Sequence, residues 1–299
     1  MSTPLETKDS APVIHPQTAA TNGSDPVSPS NINPENPPWG VLSAIITWLS
    51  SIALLFLAPN VLVIPYLYSH YRGLPMPTEK VLFADKTFVL LFVSGWLPAH
   101  LLTLVLIWAV ATRLGKLPVR EVLGLTWPPS FGVWKSIGLA ISLYLAATFV
   151  TGWFGGQPTE LDRFLTSSRA TALLLAFVAV ATAPLVEELI YRGLLYSALQ
   201  RAIGRWFAVV VVSSMFAGLH VWQYRQNLGV IISITLLSVV LTMIRARTGR
   251  LFPCFVVHLV FNGIQSLIIV LEPYLRALVE HWRPQPTPGV LIHILRFLG

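Results

Sequence analysis

From Trp39 onward the chain is a succession of long apolar runs, at about 39–69, 87–112, 132–154, 171–199, 206–223, 229–244 and 251–271. The apolar residues are gathered into blocks rather than spread at helical or strand period, so the solvent for most of this chain is lipid. A spanning helix needs ~20 residues. Most runs reach that length; 229–244 is short, and 39–69 is long enough to hold a break at Pro59 or Pro65. The fold class that follows is all-α, a polytopic transmembrane helical bundle of seven or eight spans.

Composition narrows the function classes. Of 299 residues, 54% are hydrophobic and 11% charged, against ~25% charged in soluble domains, which excludes an ordinary cytosolic globule. The single cysteine, Cys254, can form neither an internal disulfide framework nor a thiolate metal cluster and reads as packing. A formal charge of +7 suits loops lying on anionic headgroups; no Lys/Arg stripe with interleaved aromatics is present, so nucleic acid is not expected as a partner.

Residues 1–38 hold eight of the 23 prolines among Ser, Thr, Asn and Asp, a composition that cannot bury enough apolar area to offset chain entropy, and read as a disordered tail. No basic stretch followed by an apolar one opens the chain, so no cleaved signal peptide is expected. The remainder divides into N-terminal spans over 39–119, a core over 120–275 and an interfacial segment over 276–299. Trp39, Trp127, Trp134, Trp153, Trp206, Trp222 and Trp282 stand near run ends and read as headgroup-level anchors. Lys and Arg are more numerous after spans two, four and six, which puts those loops on the cytoplasmic side. An internal repeat, a glycine-rich phosphate loop and an HExxH helix are all lacking. The chain is expected to be a multi-pass integral membrane protein, in the plasma membrane if its host is a bacterium.

Charge is scarce inside the runs, and its exceptions locate a site. From Arg163 to Leu271 the chain has two carboxylates, the adjacent Glu187 and Glu188 of PLVEELIYRG. Each costs on the order of a few kcal/mol at membrane depth, so both should face the bundle interior with a partner or a task. Arg192 follows Glu188 by one helical turn and can pair with it; Glu187 is rotated about 100° away and has no local partner. The same window has two histidines, His220 in MFAGLHV one turn after Phe216, and His258 in FVVHLVFNG one turn before Asn262. The cheapest arrangement brings Glu187, His220, His258 and Asn262 together. Phe216 reads most simply as packing, and Pro184 as a kink that frees a carbonyl. His15, His70, His100, His281 and His293 lack such company and read as surface or interfacial groups.

This set suits hydrolysis. A carboxylate in an apolar setting is a stronger base, and an imidazole beside it can hold the attacking water. The second imidazole and the Asn amide offer donors to a tetrahedral oxyanion. Alternatively Glu187, His220 and His258 form a His2Glu shell for zinc or another divalent metal; Asn262 suits the oxyanion better than a metal. Two other classes remain open. A non-catalytic immunity or scaffold protein could use the same fold, with Glu188 and Arg192 a structural ion pair. A proton-coupled transporter also buries Glu and His, although no paired broken helices occur in corresponding halves.

The order Glu187, Glu188 and Arg192 (EExxxR), then Phe216 and His220 (FxxxH), then His258 and Asn262 (HxxxN), each on its own apolar run, resembles the CPBP or Abi intramembrane proteases, which include the type II CAAX prenyl endopeptidases. The lead-in ARTGRLFPCFVVHLVFNG is similar as well, and the resemblance extends over roughly 120–271 with every motif position filled. It implies an intramembrane endopeptidase acting on a membrane-anchored protein or peptide, prenylated or not, with membrane lipid around it. It also implies that Glu187 and His220 activate water, that His258 and Asn262 stabilise the oxyanion, and that Glu188 and Arg192 orient their helix. The family's metalloprotease label leaves the metal open.

Overall fold

A computed structural model describes residues 33–155, 157 and 159–282. The expected interfacial segment from 283 onward, and the tail up to 32, lie outside the described residues, as do His15 and His293. The helices are α1 (Val41–His70), α2 (Glu79–Ala84), α3 (Lys86–Ser94), α4 (Trp96–Ala111), α5 (Val119–Val122), α6 (Val133–Phe154), α7 (Glu160–Ser167), α8 (Arg169–Phe177), α9 (Ala183–Glu187), α10 (Tyr196–Ile203), α11 (Arg205–Tyr224), α12 (Leu228–Thr248) and α13 (Phe252–Trp282). Two π-helical stretches, Val178–Thr182 and Glu188–Leu195, join α8, α9 and α10 into one continuous rod, called here the site helix. No strand is present among the described residues.

Seven helical stretches among the described residues are long and apolar enough to cross a membrane: Val41–His70, Lys86–Ala111, Val133–Phe154, Arg169–Ile203, Arg205–Tyr224, Leu228–Thr248 and Phe252–Val279. The protein is a multi-pass integral membrane protein. The break expected at Pro59 or Pro65 does not occur, and α1 runs through both prolines. Neighbouring packing compensates at Pro59: a Cβ on Gly95 would stand 2.3 Å from Pro59 Cα, so only glycine lets the α3–α4 junction seat against α1 there. The short run 229–244 is extended by Asn227, whose side chain accepts from the Val230 amide as an N-cap, and by Gly249, whose positive φ ends the helix. At its start Gly229 packs against α6, where a Cβ would come within 2.8 Å of Thr151 Cα.

Three apolar clusters hold the bundle. The largest joins α1, α4, α5, the site helix and α11 through residues such as Trp39, Ile107, Leu123, Leu194, Tyr196 and Phe216. A second joins α6, α12 and α13 around Leu241, Cys254 and Val257. The third joins the end of α1 to α3, α7 and α8 around Val63, Phe88 and Phe164. Cys254 is fully buried, its thiol donating to Leu241 O at 3.3 Å.

The polar beginning of the chain differs from expectation. Asn33 to Pro38, placed by composition in the disordered tail, form a strap packed on the bundle. Arg113 donates to Pro38 O, Gln200 to Glu35 O, Arg201 to Pro37 O and Trp39 O, and Arg245 to Pro34 O. Prolines leave carbonyls without competing amides nearby, and arginine forks collect them. Trp39 is likewise no anchor: it is buried, with its indole N–H donating to Leu194 O at 3.1 Å. Trp134, Trp153, Trp206 and Trp222 are exposed, as anchors would be; the side chain of Trp282, like that of His281, lies outside those described. His100 is also buried rather than interfacial, its Nδ1 2.8 Å from Thr182 Oγ1. Thr182 in the irregular part of the site helix supplies the hydroxyl that makes this burial tolerable.

Candidate active site

The site helix is irregular at two places, and each leaves a backbone carbonyl for a side chain to take. In a π-helical turn the amide reaches back five residues instead of four. Ala183 N–H bonds Val178 O in this way, and the next residue, Pro184, has no N–H to continue the ladder. Ala179 O is thereby freed, and the Asn262 amide donates to it at 2.9 Å. At the second place Tyr196 N–H reaches Tyr191 O and the α pattern resumes, so Arg192 O falls out of the ladder. Arg245 Nε donates to it at 3.1 Å.

Between these two seams lie the carboxylates. Glu188 and Arg192 are almost wholly buried, at 1% and 0% exposure, and pair at 2.9 Å through Oε1 and Nη1. The rest of the guanidinium is satisfied by α12: Nη2 donates to Ser238 O and Oγ at 3.0 and 2.9 Å, and Nε to Thr242 Oγ1 at 3.2 Å. Its face lies over the Phe216 ring, 4.8 Å from the centroid. Such completeness is what a buried charge at this depth requires.

Glu188 Oε1 accepts a second hydrogen bond, from His258 Nδ1 at 2.8 Å. An ionised carboxylate only accepts, so Nδ1 carries the proton and His258 turns Nε2 the other way. There it meets Glu187, whose Oε2 lies 3.6 Å from Nε2. That separation is wider than a direct hydrogen bond, and Glu187, 28% exposed, is the more accessible of the two carboxylates. Adjacent carboxylates thus address opposite nitrogens of one imidazole. Successive residues of an α-helix diverge by about 100°, and His258 stands where both side chains face it, at the junction where α9 ends at Glu187 and the π-helical stretch opens at Glu188.

His220 packs against Phe216, with ring centroids 4.7 Å apart, while Phe216 to His258 is 6.2 Å. Its Nδ1 donates to Phe216 O, one turn earlier in α11, at 2.8 Å, so His220 also presents a free Nε2. No direct hydrogen bond or ion pair joins His220 to Glu187 among the described residues. The structure therefore brings Glu187, Glu188, Arg192, Phe216 and His258 into one contact cluster. His220 reaches it through the Phe216 ring, and Asn262 has one amide hydrogen on the site helix and one to spare. Phe216 is more than packing, since Arg192, Tyr191, His220 and His258 all abut its ring.

Among the described residues no group of three or more His, Cys, Asp or Glu side chains able to hold a metal ion occurs. The Nδ1 atoms of His220 and His258 are engaged by Phe216 O and Glu188 Oε1, which leaves the two Nε2 atoms as the nitrogens that would hold such an ion together with Glu187. No step below is routed through a metal.

Several site residues escaped the sequence reading. Ser238 and Thr242 complete the Arg192 shell; their signal is two hydroxyls one turn apart on an apolar helix, and Arg245 extends the same row. Tyr191, whose hydroxyl accepts from Trp48 Nε1 at 3.1 Å, ties α1 to the site helix. The N-terminal spans carry none of the motifs, yet they supply Trp48 and Trp39.

Comparison with protein families finds a match to the family described as type II CAAX prenyl endopeptidase Rce1-like, over residues 169–264. Comparisons with curated proteins and with solved structures find no match. The matched segment begins at the site helix and ends just past Asn262, and it holds every member of the cluster. Over residues 169–264 the chain is thus similar to the type II CAAX prenyl endopeptidase Rce1-like family.

Proposed function

We propose that this protein is an intramembrane endopeptidase that hydrolyses a peptide bond in a membrane-anchored protein or peptide, of the prenylated CAAX type that the family name denotes. The observation that carries the reading is the Glu188–His258–Glu187 alignment: one imidazole oriented by a buried carboxylate and facing a second, accessible one. A base held in its tautomer by a third group is the general arrangement for activating a nucleophile. Water held between Glu187 Oε2 and His258 Nε2 gives up a proton to this pair as its oxygen attacks the scissile carbonyl. Glu188, paired with Arg192, stabilises the imidazolium that results. The proton then passes to the leaving amine, and the products are a carboxylate and a free amine. The spare amide hydrogen of Asn262 and the His220 side of the cluster are assigned to the developing oxyanion. In this scheme His258 sits with Glu187 in water activation, which exchanges the roles of the two histidines relative to those the resemblance implies.

The test is turnover of a lipidated reporter peptide by the purified protein in vesicles, compared with Glu187→Ala and His258→Ala. Both variants should lose turnover by at least about 10²-fold at unchanged abundance. Equal turnover in all three refutes the reading. Full phenotype of Glu187→Ala in the host favours the non-catalytic immunity or scaffold alternative. Survival of activity in chelator, with no stoichiometric zinc in active protein, is the expected outcome for a scheme without metal.

A further inference from the structure

Arg245 is a buried cation, 1% exposed, that neither catalysis nor any ion pair among the described residues accounts for. Its hydrogen bonds go to three places: Nε to Arg192 O at 3.1 Å, and Nη2 to Ser197 Oγ at 3.0 Å and to Pro34 O at 3.2 Å. Nη1 is without a hydrogen-bond partner, and the guanidinium lies 5.8 Å from the Tyr196 ring centroid. An arginine placed this deep is costly unless it meets a need. The need is at the seam. Arg192 O is the carbonyl dropped where the π-helical turn gives way to α10, and buried in lipid it would otherwise be unsatisfied. Two residues on, Leu194 O receives the Trp39 indole N–H, and Arg245 holds the strap that brings Trp39 there.

We propose that Arg245, together with Trp39 of the strap, is a positioning residue that keeps the site helix in its π register. The alternative register is the ordinary one. If Glu188–Leu195 relaxes to an α-helix, the skipped carbonyl rejoins the ladder and the need for Arg245 vanishes. The same one-residue slip rotates Glu187 and Glu188 relative to α10, so the two carboxylates no longer address opposite nitrogens of His258. Arg245 and Trp39 favour the π register because each bonds a carbonyl as that register presents it. The consequence for activity rests on the endopeptidase reading; the register itself does not.

The experiment uses the full chain in nanodiscs, with Arg245→Lys and Trp39→Phe. Lysine can reach one of the three acceptors and retains the charge, and phenylalanine keeps a buried ring and loses only the N–H function. Hydrogen–deuterium exchange over 188–199 is expected to rise about tenfold in Arg245→Lys and roughly fivefold in Trp39→Phe, the scale of one or two lost hydrogen bonds. Exchange in α6, to which neither side chain hydrogen-bonds among the described residues, stays unchanged and serves as the folding control. On the lipidated reporter, kcat falls with KM unchanged. Unaltered exchange over 188–199 in Trp39→Phe overturns the proposal. If Arg245→Lys also loosens α6, Trp39→Phe alone decides. A wild type that turns over no reporter, with the local exchange change present, refutes the protease reading and leaves the register assignment standing. Turnover with no local change does the reverse.

Discussion

Replacing Glu188 by Gln separates the stability of the buried pair from its use. The two side chains have nearly the same shape, but the substitution leaves Arg192, fully buried, without a counter-charge. Breaking one partner of a buried pair costs about 3–5 kcal/mol. The three hydrogen bonds to Ser238 and Thr242 and the Phe216 face remain, and the Gln carbonyl can still accept from Nη1, so the loss falls at the lower end, ~3 kcal/mol. At roughly 2–4 °C per kcal/mol in a chain of this size, the unfolding midpoint in detergent falls by about 6–12 °C. Turnover falls further than stability. A Gln carbonyl in the place of Oε1 still accepts from His258 Nδ1 but no longer supplies the negative charge that stabilises the imidazolium; loss of an orienting carboxylate of this kind costs up to about 10⁴ in kcat. The double variant Glu188→Gln/Arg192→Met removes the stranded cation and recovers most of the midpoint, because replacing both members of a buried pair is near neutral. It recovers no turnover. Reporter kinetics and thermal unfolding on the same preparations read both quantities, and a double variant that regains turnover along with stability refutes the argument that Glu188 acts on His258.

Asn262→Ala strands Ala179 O and lowers stability by ~1–3 kcal/mol as well as turnover; turnover lost at an unchanged unfolding midpoint would show the seam contact to be idle. Gly95→Ala drives a methyl to 2.3 Å from Pro59 Cα and must push α1 off the α3–α4 junction; an overpacking cost of about 1–3 kcal/mol is read as a lowered unfolding midpoint, and an unchanged one refutes the contact. Asp85, between spans, caps α3 through the Thr87 and Phe88 amides and accepts from Tyr66 and Tyr71. Burial pushes its carboxyl up, but these hydrogen bonds together outweigh burial and hold it below the ordinary value of 3.8. A lowered folded-state value means its contribution is present above pH 3.8 and fades as pH falls through the lowered value, so Asp85→Asn flattens the acid side of the stability profile below about pH 4. An identical acid limb in both proteins refutes that linkage.

The seven spans were legible because lipid enforces them: a run long enough to cross has one structural solution, and all seven runs became helices. Their internal form was less so. Pro59 reads as a break because the sequence shows the missing N–H but not Gly95, which lets the neighbouring helix seat against the bend. The strap at Asn33–Pro38 reads as tail because its composition buries little apolar area, whereas what holds it is arginine forks from α10, α12 and the turn after α4. The charged residues of the cluster were legible through their rarity, and the order of their motifs gave the resemblance. Their pairing was not. Glu187 has no partner on its own helix and meets His258 of α13 instead; which nitrogen of that ring each carboxylate faces is set by helix packing and by a π-helical stretch that no residue type announces.

The irregularity and the site have a common cause. A regular α-helix would send two adjacent carboxylates to different neighbours, one of them into lipid or apolar packing at a cost of several kcal/mol. One π-helical stretch ends before this pair and the other opens at Glu188, and each return to the α pattern drops a carbonyl that lipid cannot satisfy. The chain places a side-chain donor at each drop, Asn262 at Ala179 and Arg245 at Arg192. One of these donors lies in the HxxxN motif and the other immediately before the lead-in to it, so α12 and α13 supply the imidazole and also the donors that cap the dropped carbonyls of the site helix. Asn262 consequently has two amide hydrogens with separate tasks, one structural and one free for chemistry. An aspartate there could accept but not donate to Ala179 O, and it would add a third carboxylate beside Glu187. Asn262→Asp should therefore be worse than Asn262→Ala in both stability and turnover, and the reverse order would separate Asn262 from the seam.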